Sequence, residues 1–133
     1  MGQNRITIDS HALIWYMHED SNVNLSIEAF RVIKMAESNG IIYVPIITLL
    51  EIFRVIKKGK YPILFDVLLS KIVNSRNFQI VPFDLDILRL TVKYQDFELH
   101  DSIIFATSVM TDTPLITKDR QIKAKRANVE VIW

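Results

Sequence analysis

The stretch RITIDSHALIWYM, residues Arg5–Met17, decides how this chain is read. Ile6, Thr7 and Ile8 are β-branched and predict a short strand. Ala12, Leu13, Trp15 and Tyr16 follow at helical spacing. Asp9 stands between the two, with Ser10 and His11 behind it. A carboxylate at that junction can simply cap the helix. It can also belong to a site, because sites in open α/β sheets form beyond the carboxyl ends of the strands. The two readings part on whether other acids reach the same edge.

The strand-then-helix pattern recurs along the chain. IIYVP (41–45) predicts a second apolar strand ended by Pro45, and IITLLEIFRVIKK (46–58) a helix stopping at Gly59. Between the first helix and that strand, HEDSNVN (18–24) reads as a polar loop. Leu25 to Ser38 then reads as a helix carrying Ile27, Phe30, Val32, Ile33 and Met35, with Gly40 at its stop. PILFDVLLSKIV (62–73) predicts a helix with Pro62 in its first turn. FQIVPF (78–83) is a third strand, and Asp84 a cap for the helix LDILRLTVKYQ (85–95). DSIIFATSVM (101–110) is a further helix, PLIT (114–117) a fourth strand, DRQIKAKR (119–126) a short basic helix and VEVIW (129–133) a fifth strand. Alternation of this kind predicts an α/β fold with a central parallel sheet of about five strands and helices on both faces. Nearly continuous apolar strands fit burial on both sides.

Bulk properties narrow the function classes. The 133 residues suit one domain, 1–133, and half of them are hydrophobic, which leaves apolar surface for a partner. The net charge of +1 carries no global basic field, so any nucleic-acid signal must be local. The absence of cysteine removes disulfides, thiolate chemistry and Cys-type zinc sites. No apolar run is long enough to cross a bilayer, and Asp9 and His11 interrupt what would be the core of a signal peptide. A cytoplasmic location, away from membranes, is the expectation.

Three acids belong at the carboxyl edge of the sheet: Asp9 after the first strand, Glu51 inside the helix after the second, and Asp119 two residues past PLIT. Asp101 opens the helix before that strand, which places it at the same edge. Each aspartate alone is readable as a helix cap, and Glu51 as a solvated helix residue. Together they are costly, at about 3 kcal/mol for each pair ~5 Å apart with an effective dielectric near 20. A divalent cation relieves that repulsion, and oxygen donors suit Mg2+ or Mn2+.

ITIDSHALIWYM (6–17), PIITLLEIFRVIKKGK (45–60) and LHDSIIFATSVMTDTPLITKDRQI (99–122) resemble, in this order, the acidic motifs of PIN-domain ribonucleases. The VapC-like toxins of type II toxin–antitoxin pairs are the nearest in pattern. The resemblance implies a PIN-like three-layer α/β/α sandwich and a metal-dependent endoribonuclease that hydrolyses RNA phosphodiester bonds. It matches Asp9, Glu51, Asp101 and Asp119 to the family's acidic quartet, as catalytic residues and metal ligands. Asp9 and Asp101 would bind the Mg2+ or Mn2+ directly, Asp119 directly or through water, and Glu51 would orient water. Ser10 and Thr117 match the hydroxyl residues beside the first and last acids. It further implies a homodimer and a cognate antitoxin that presses a basic side chain against the acids. The helices at 46–57 and from Pro62 onward are candidates for these contacts. Ser102 departs from the pattern, standing where the family often has arginine.

Positive charge for an RNA backbone flanks the acids. Arg54, Lys57, Lys58 and Lys60 follow Glu51, and Lys118, Arg120, Lys123, Lys125 and Arg126 surround Asp119. Glu51, Arg54 and Lys58 share a helix face by spacing. The histidines His11, His18 and His100 form no zinc-type spacing, and Trp15 and Tyr16 read as core or interface. A phosphatase of the haloacid-dehalogenase type would need an acid at His11, and a receiver domain an extra acidic pair near the first strand. Two alternatives stay open: a non-catalytic PIN-like module binding RNA or protein, and a PIN nuclease of RNA processing.

Overall fold

The structure is a computed structural model and describes residues 4–119, 122 and 129–133. Five parallel strands form one sheet in the order β3-β2-β1-β4-β5. They are β1 (Arg5–Ile8), β2 (Ile41–Pro45), β3 (Phe78–Val81), β4 (Leu115–Ile116) and β5 (Val131–Ile132). The helices are α1 (Ser10–Met17), α2 (Ile27–Asn39), α3 (Ile46–Lys57), α4 (Phe65–Val73), α5 (Leu85–Thr91) and α6 (Leu99–Thr111).

The sheet separates two apolar layers. Ile6, Ile8, Ile42, Val44 and Ile116 pack with residues of α1, α2, α3 and α4. On the other face, Leu115 packs with Ile104 and Phe105 of α6, and Ile87 of α5 joins Ile103 and Ala106. The α/β/α sandwich expected from the sequence is the architecture found. Helix α6 lies deepest: every residue from Ser102 to Ser108 is buried. This is why its sequence reads apolar all round.

Strand order positions the edge that matters. The chain runs outward from β1 to β2 to β3, then crosses through α5 and α6 to place β4 on the far side of β1. The carboxyl ends of β1 and β4 therefore sit side by side at the point where the winding reverses. Thr7 pairs with Leu115 and Ile8 with Ile116, and the Asp9 amide donates to the Ile116 carbonyl at 3.2 Å. Crevices at such reversals are where α/β sheets bind ligands.

Local structure differs from the sequence reading in several places, among them α5, which ends at Thr91 rather than Gln95. Residues Glu19–Asn24 form a 3-10 helix rather than a loop. Helix α4 begins at Phe65, so Pro62 lies before it and not in its first turn. Asp101 is the third residue of α6 and does not cap it; Glu98 holds the cap position, without a side-chain bond. Gly40 does end α2, and for a reason of space: a Cβ there would lie 1.6 Å from the Asn4 carbonyl oxygen. That oxygen accepts from the Ile41 amide at 2.9 Å where β1 and β2 begin to pair.

Candidate active site

Asp9 sits at the winding reversal as the N-cap of α1, its Oδ1 accepting from the Ala12 amide at 2.9 Å. Its other oxygen accepts from the Thr117 hydroxyl, just past β4. Thr117 is buried, and its Oγ1 also accepts from the Asp119 amide at 3.1 Å. One hydroxyl thus fixes the two strand-end acids relative to each other. Asp119 Oδ1 in turn accepts from the Ile122 amide at 3.2 Å. The capping role that the sequence allowed for Asp9 is real, and it orients the carboxylate as well as starting the helix.

Glu51 arrives from α3. Thr48, one turn earlier, is fully buried and donates to the Ile8 carbonyl at 3.2 Å. This ties α3 to the end of β1 and turns the face shared by Thr48 and Glu51 toward Asp9. Glu51 Oε2 accepts from His100 Nδ1 at 2.6 Å. Asp101, next along α6, meets Asp119.

These acids line one open cavity of about 690 Å³ with Glu98 as a fifth. Burial, eased only partly by the Thr117 bond, pushes the Asp9 carboxyl up to about 6 from its ordinary 3.8. Burial, followed by the charge and hydrogen bond of Asp119, pushes Asp101 up to about 7; Glu98 and Glu51 add to the effect. Two carboxyl groups that hydrogen-bond to each other must share a proton. The cluster is therefore electrically overloaded when nothing cationic is bound.

Among the described residues, no group of three His, Asp or Glu side chains is arranged to hold a metal ion. The acids are engaged with neighbours instead: Asp9 with Thr117, Glu51 with His100, Asp101 with Asp119. The donor chemistry nevertheless fits a hard divalent cation. All donors are carboxylate oxygens, and a cation would replace the proton held between Asp101 and Asp119.

Basic residues on the same wall are Arg54, Lys60 and Lys118, and Ser10 also lines it. Lys57 and Lys58, exposed at the end of α3, do not line the cavity. Helix α3 ends at Lys57 with Lys58 as its C-cap, whose amide still donates to the Arg54 carbonyl at 3.2 Å; Lys58 therefore keeps the helical position but lies beyond the cavity's lining. Arg120, Lys123, Lys125 and Arg126, with the basic helix expected there, lie outside the described residues. Ser102 turns away from the cavity: its buried Oγ donates to the Tyr94 carbonyl at 2.6 Å and pins the segment before α6.

Sequence reasoning missed Glu98, the His100 bond to Glu51, and the place of His11 and Trp15 on the cavity wall. Glu98 sits three residues before Asp101, a spacing that helical geometry would have flagged had the helix start been set correctly.

The sequence model of the PIN domain family matches residues 6–128. No curated protein sequence matches the chain. Among solved structures, the fold is similar to that of VapBC2 from Rickettsia felis bound to a promoter DNA fragment. The TM-score is 0.72 at 12% identity, over 96% of this chain and 97% of that one. It is also similar to FitAcB from Neisseria gonorrhoeae, with TM-score 0.64, 20% identity and 96% of each chain covered. A third likeness is to VapBC-5 from Mycobacterium tuberculosis, a member of the VapBC family of toxin-antitoxin systems. There the TM-score is 0.62 at 16% identity, over 97% of this chain and 98% of that one.

Proposed function

Because the chain belongs to the PIN domain family, we propose that it is a metal-dependent endoribonuclease, hydrolysing RNA phosphodiester bonds with Mg2+ or Mn2+. The observation that carries this reading is the meeting of Asp9, Glu51, Asp101 and Asp119, from four separate segments, in one cavity where two of them are driven toward neutrality. Such a cluster opposes folding and earns its place only through what it binds.

Asp9, Asp101 and Asp119 would hold the cation, with Glu51 beside them. When bound, the cation supplies the positive charge that offsets the acids and polarises the scissile phosphate. The remaining work falls to the chain. Thr117, expected from the sequence to meet substrate, is buried with its hydroxyl engaged by both acids, and keeps Asp9 and Asp119 in fixed relation instead. His100 restrains Glu51 through one carboxylate oxygen. Arg54, Lys60 and Lys118 draw the RNA backbone to a rim whose floor is negative, and Ser10 offers a hydroxyl on the same wall.

The biological role that fits is that of a toxin held by an antitoxin. The likeness to chains from toxin-antitoxin complexes supports it, as does unpartnered apolar surface. Leu50 and Phe53 on α3, and Leu64 and Val67 at the start of α4, are exposed. They suit a homodimer contact or an antitoxin segment on the two helices that the sequence singled out. No helix among the described residues is long and apolar enough to cross a membrane.

The test is cleavage of RNA by purified protein with Mg2+, with chelator, and by the Asp9→Asn variant. Cleavage is expected in the first case alone. Equal cleavage by Asp9→Asn would place the activity elsewhere. Induced expression should arrest growth, and Asp9→Asn should relieve the arrest.

A further inference from the structure

The acid cavity is larger than a cation needs, at about 690 Å³. That lies within the roughly 300–1,000 Å³ typical of pockets for whole small molecules. One of its walls is aromatic. Trp15 and His11, one turn apart on α1, both line it, with ring centroids 5.5 Å apart and planes tilted by 44°. Lys118 Nζ lies 5.7 Å from the centre of the Trp15 ring, and Lys118 is the immediate neighbour of Asp119.

The Trp15 ring is held in place. Its Nε1–H donates to Tyr61 Oη at 2.8 Å, and Trp133 packs at 6.0 Å between centroids. An indole fixed in this way loses no further freedom when a flat ligand stacks on it. A lysine over an indole is also an exchangeable partner, since its ammonium has an equal use on a phosphate.

We infer that His11, Trp15 and Lys118 form a nucleotide subsite beside the acids, in which an unpaired base stacks on Trp15 against His11 while Lys118 takes an adjoining phosphate. The subsite rests on the nuclease reading and assigns the side chains that would hold one unpaired nucleotide of the RNA. A base within a duplex is covered on both faces and cannot lie on the indole without being unstacked. Every base has a flat face, so the subsite selects for strandedness ahead of sequence.

The chain's two tryptophans allow a direct test. In a Trp133→Phe protein, Trp15 is the sole indole emitter. The probe is a single-stranded oligoribonucleotide of about ten residues, long enough to cross such a groove, with chelator present so that nothing is cut. The expected result is a saturable change in Trp15 emission with the single strand and none with the same sequence in a duplex. His11→Ala, at an exposed position, should weaken single-strand binding roughly 5-fold, and Trp15→Leu roughly 10- to 100-fold. His11→Ala keeps the test open if Trp15→Leu fails to fold. Cleavage of RNA by wild-type protein with Mg2+, together with unmoved Trp15 emission in Trp133→Phe and unchanged binding by His11→Ala, overturns the subsite and leaves the nuclease reading standing. Wild-type protein that neither binds nor cleaves RNA overturns both.

Discussion

His100 Nδ1 stands 2.6 Å from Glu51 Oε2, a bond that joins α6 to α3 across the rim of the acid cavity. It commits one oxygen of Glu51 and fixes a side chain that would otherwise turn freely. Partners of this kind are worth about 10- to 100-fold in metal affinity or activity when removed. His100→Ala should therefore weaken Mn2+ binding, measured by calorimetry, by about 10-fold. His100→Gln, which keeps a donor, should lose less. Unchanged affinity in His100→Ala would show that Glu51 is placed by α3 alone.

Asp101 is held near neutrality by burial and by Asp119. Replacing it with an amide removes a like charge and supplies a donor to Asp119. Asp101→Asn should abolish cleavage yet raise the melting temperature of the chelated protein by roughly 2–5 °C. An activity loss with a falling melting temperature would mean that Asp101 supports the fold in a way its neighbours do not reveal.

The same shifts set a pH dependence. Asp9 is raised to about 6 and Asp101 to about 7. The folded chain therefore keeps protons that the unfolded chain has released. The stability from these two groups is complete below the ordinary carboxylate value and is lost as pH rises through 6 and 7. Metal-free protein should melt higher near about pH 5 than near about pH 8, by scanning calorimetry. Mn2+ affinity should run the opposite way, rising over that interval as the acids shed the protons that compete with the ion. Asp101→Asn should flatten both curves.

Placement of the basic residues gives a comparison within one surface. Arg54 and Lys60 line the cavity, whereas Lys57 and Lys58 do not. Reversing the first pair, Arg54→Glu with Lys60→Glu, should reduce the slope of log affinity against log salt by about 1.4 for single-stranded RNA, at ~0.7 for each phosphate no longer neutralised. Reversing Lys57 and Lys58 should change it less. Filter binding across a salt series reads both, and equal slopes would mean that RNA runs along the end of α3.

Much of this was legible in the sequence because it depends on local period. The β-branched run before Asp9 and the apolar run before Thr117 announce strands, and the acids directly after them fall at the sheet edge by geometry alone. The parallel sheet with helices on both faces followed from the same alternation, whereas its PIN-like character was implied by the resemblance of the acidic blocks. What stayed hidden depends on distance along the chain. The bond between Glu51 and His100 spans 49 positions, and no spacing rule reaches that far. Trp15 follows Leu13 in an apolar helical run and reads as core or interface; it does pack against the core, but its partly exposed ring also lines the cavity. Lys58 shares a period with Glu51 and caps the end of α3, yet it lies two turns from Glu51 and outside the cavity's lining. Ser102 reads as a missing arginine; it fastens the Tyr94–Phe97 segment instead.

The strand order has a consequence for a chain still on the ribosome. Asp9 and Glu51 emerge early, whereas Asp101 and Asp119 come from α6 and from just past β4, which pairs with β1 but follows it by more than a hundred residues in the chain. Until that pairing, Asp9 lacks its Thr117 clamp and half the charge is missing. On the proposed function, the cluster is completed only when the last part of the chain has joined the sheet, so synthesis itself would time the moment at which it is armed.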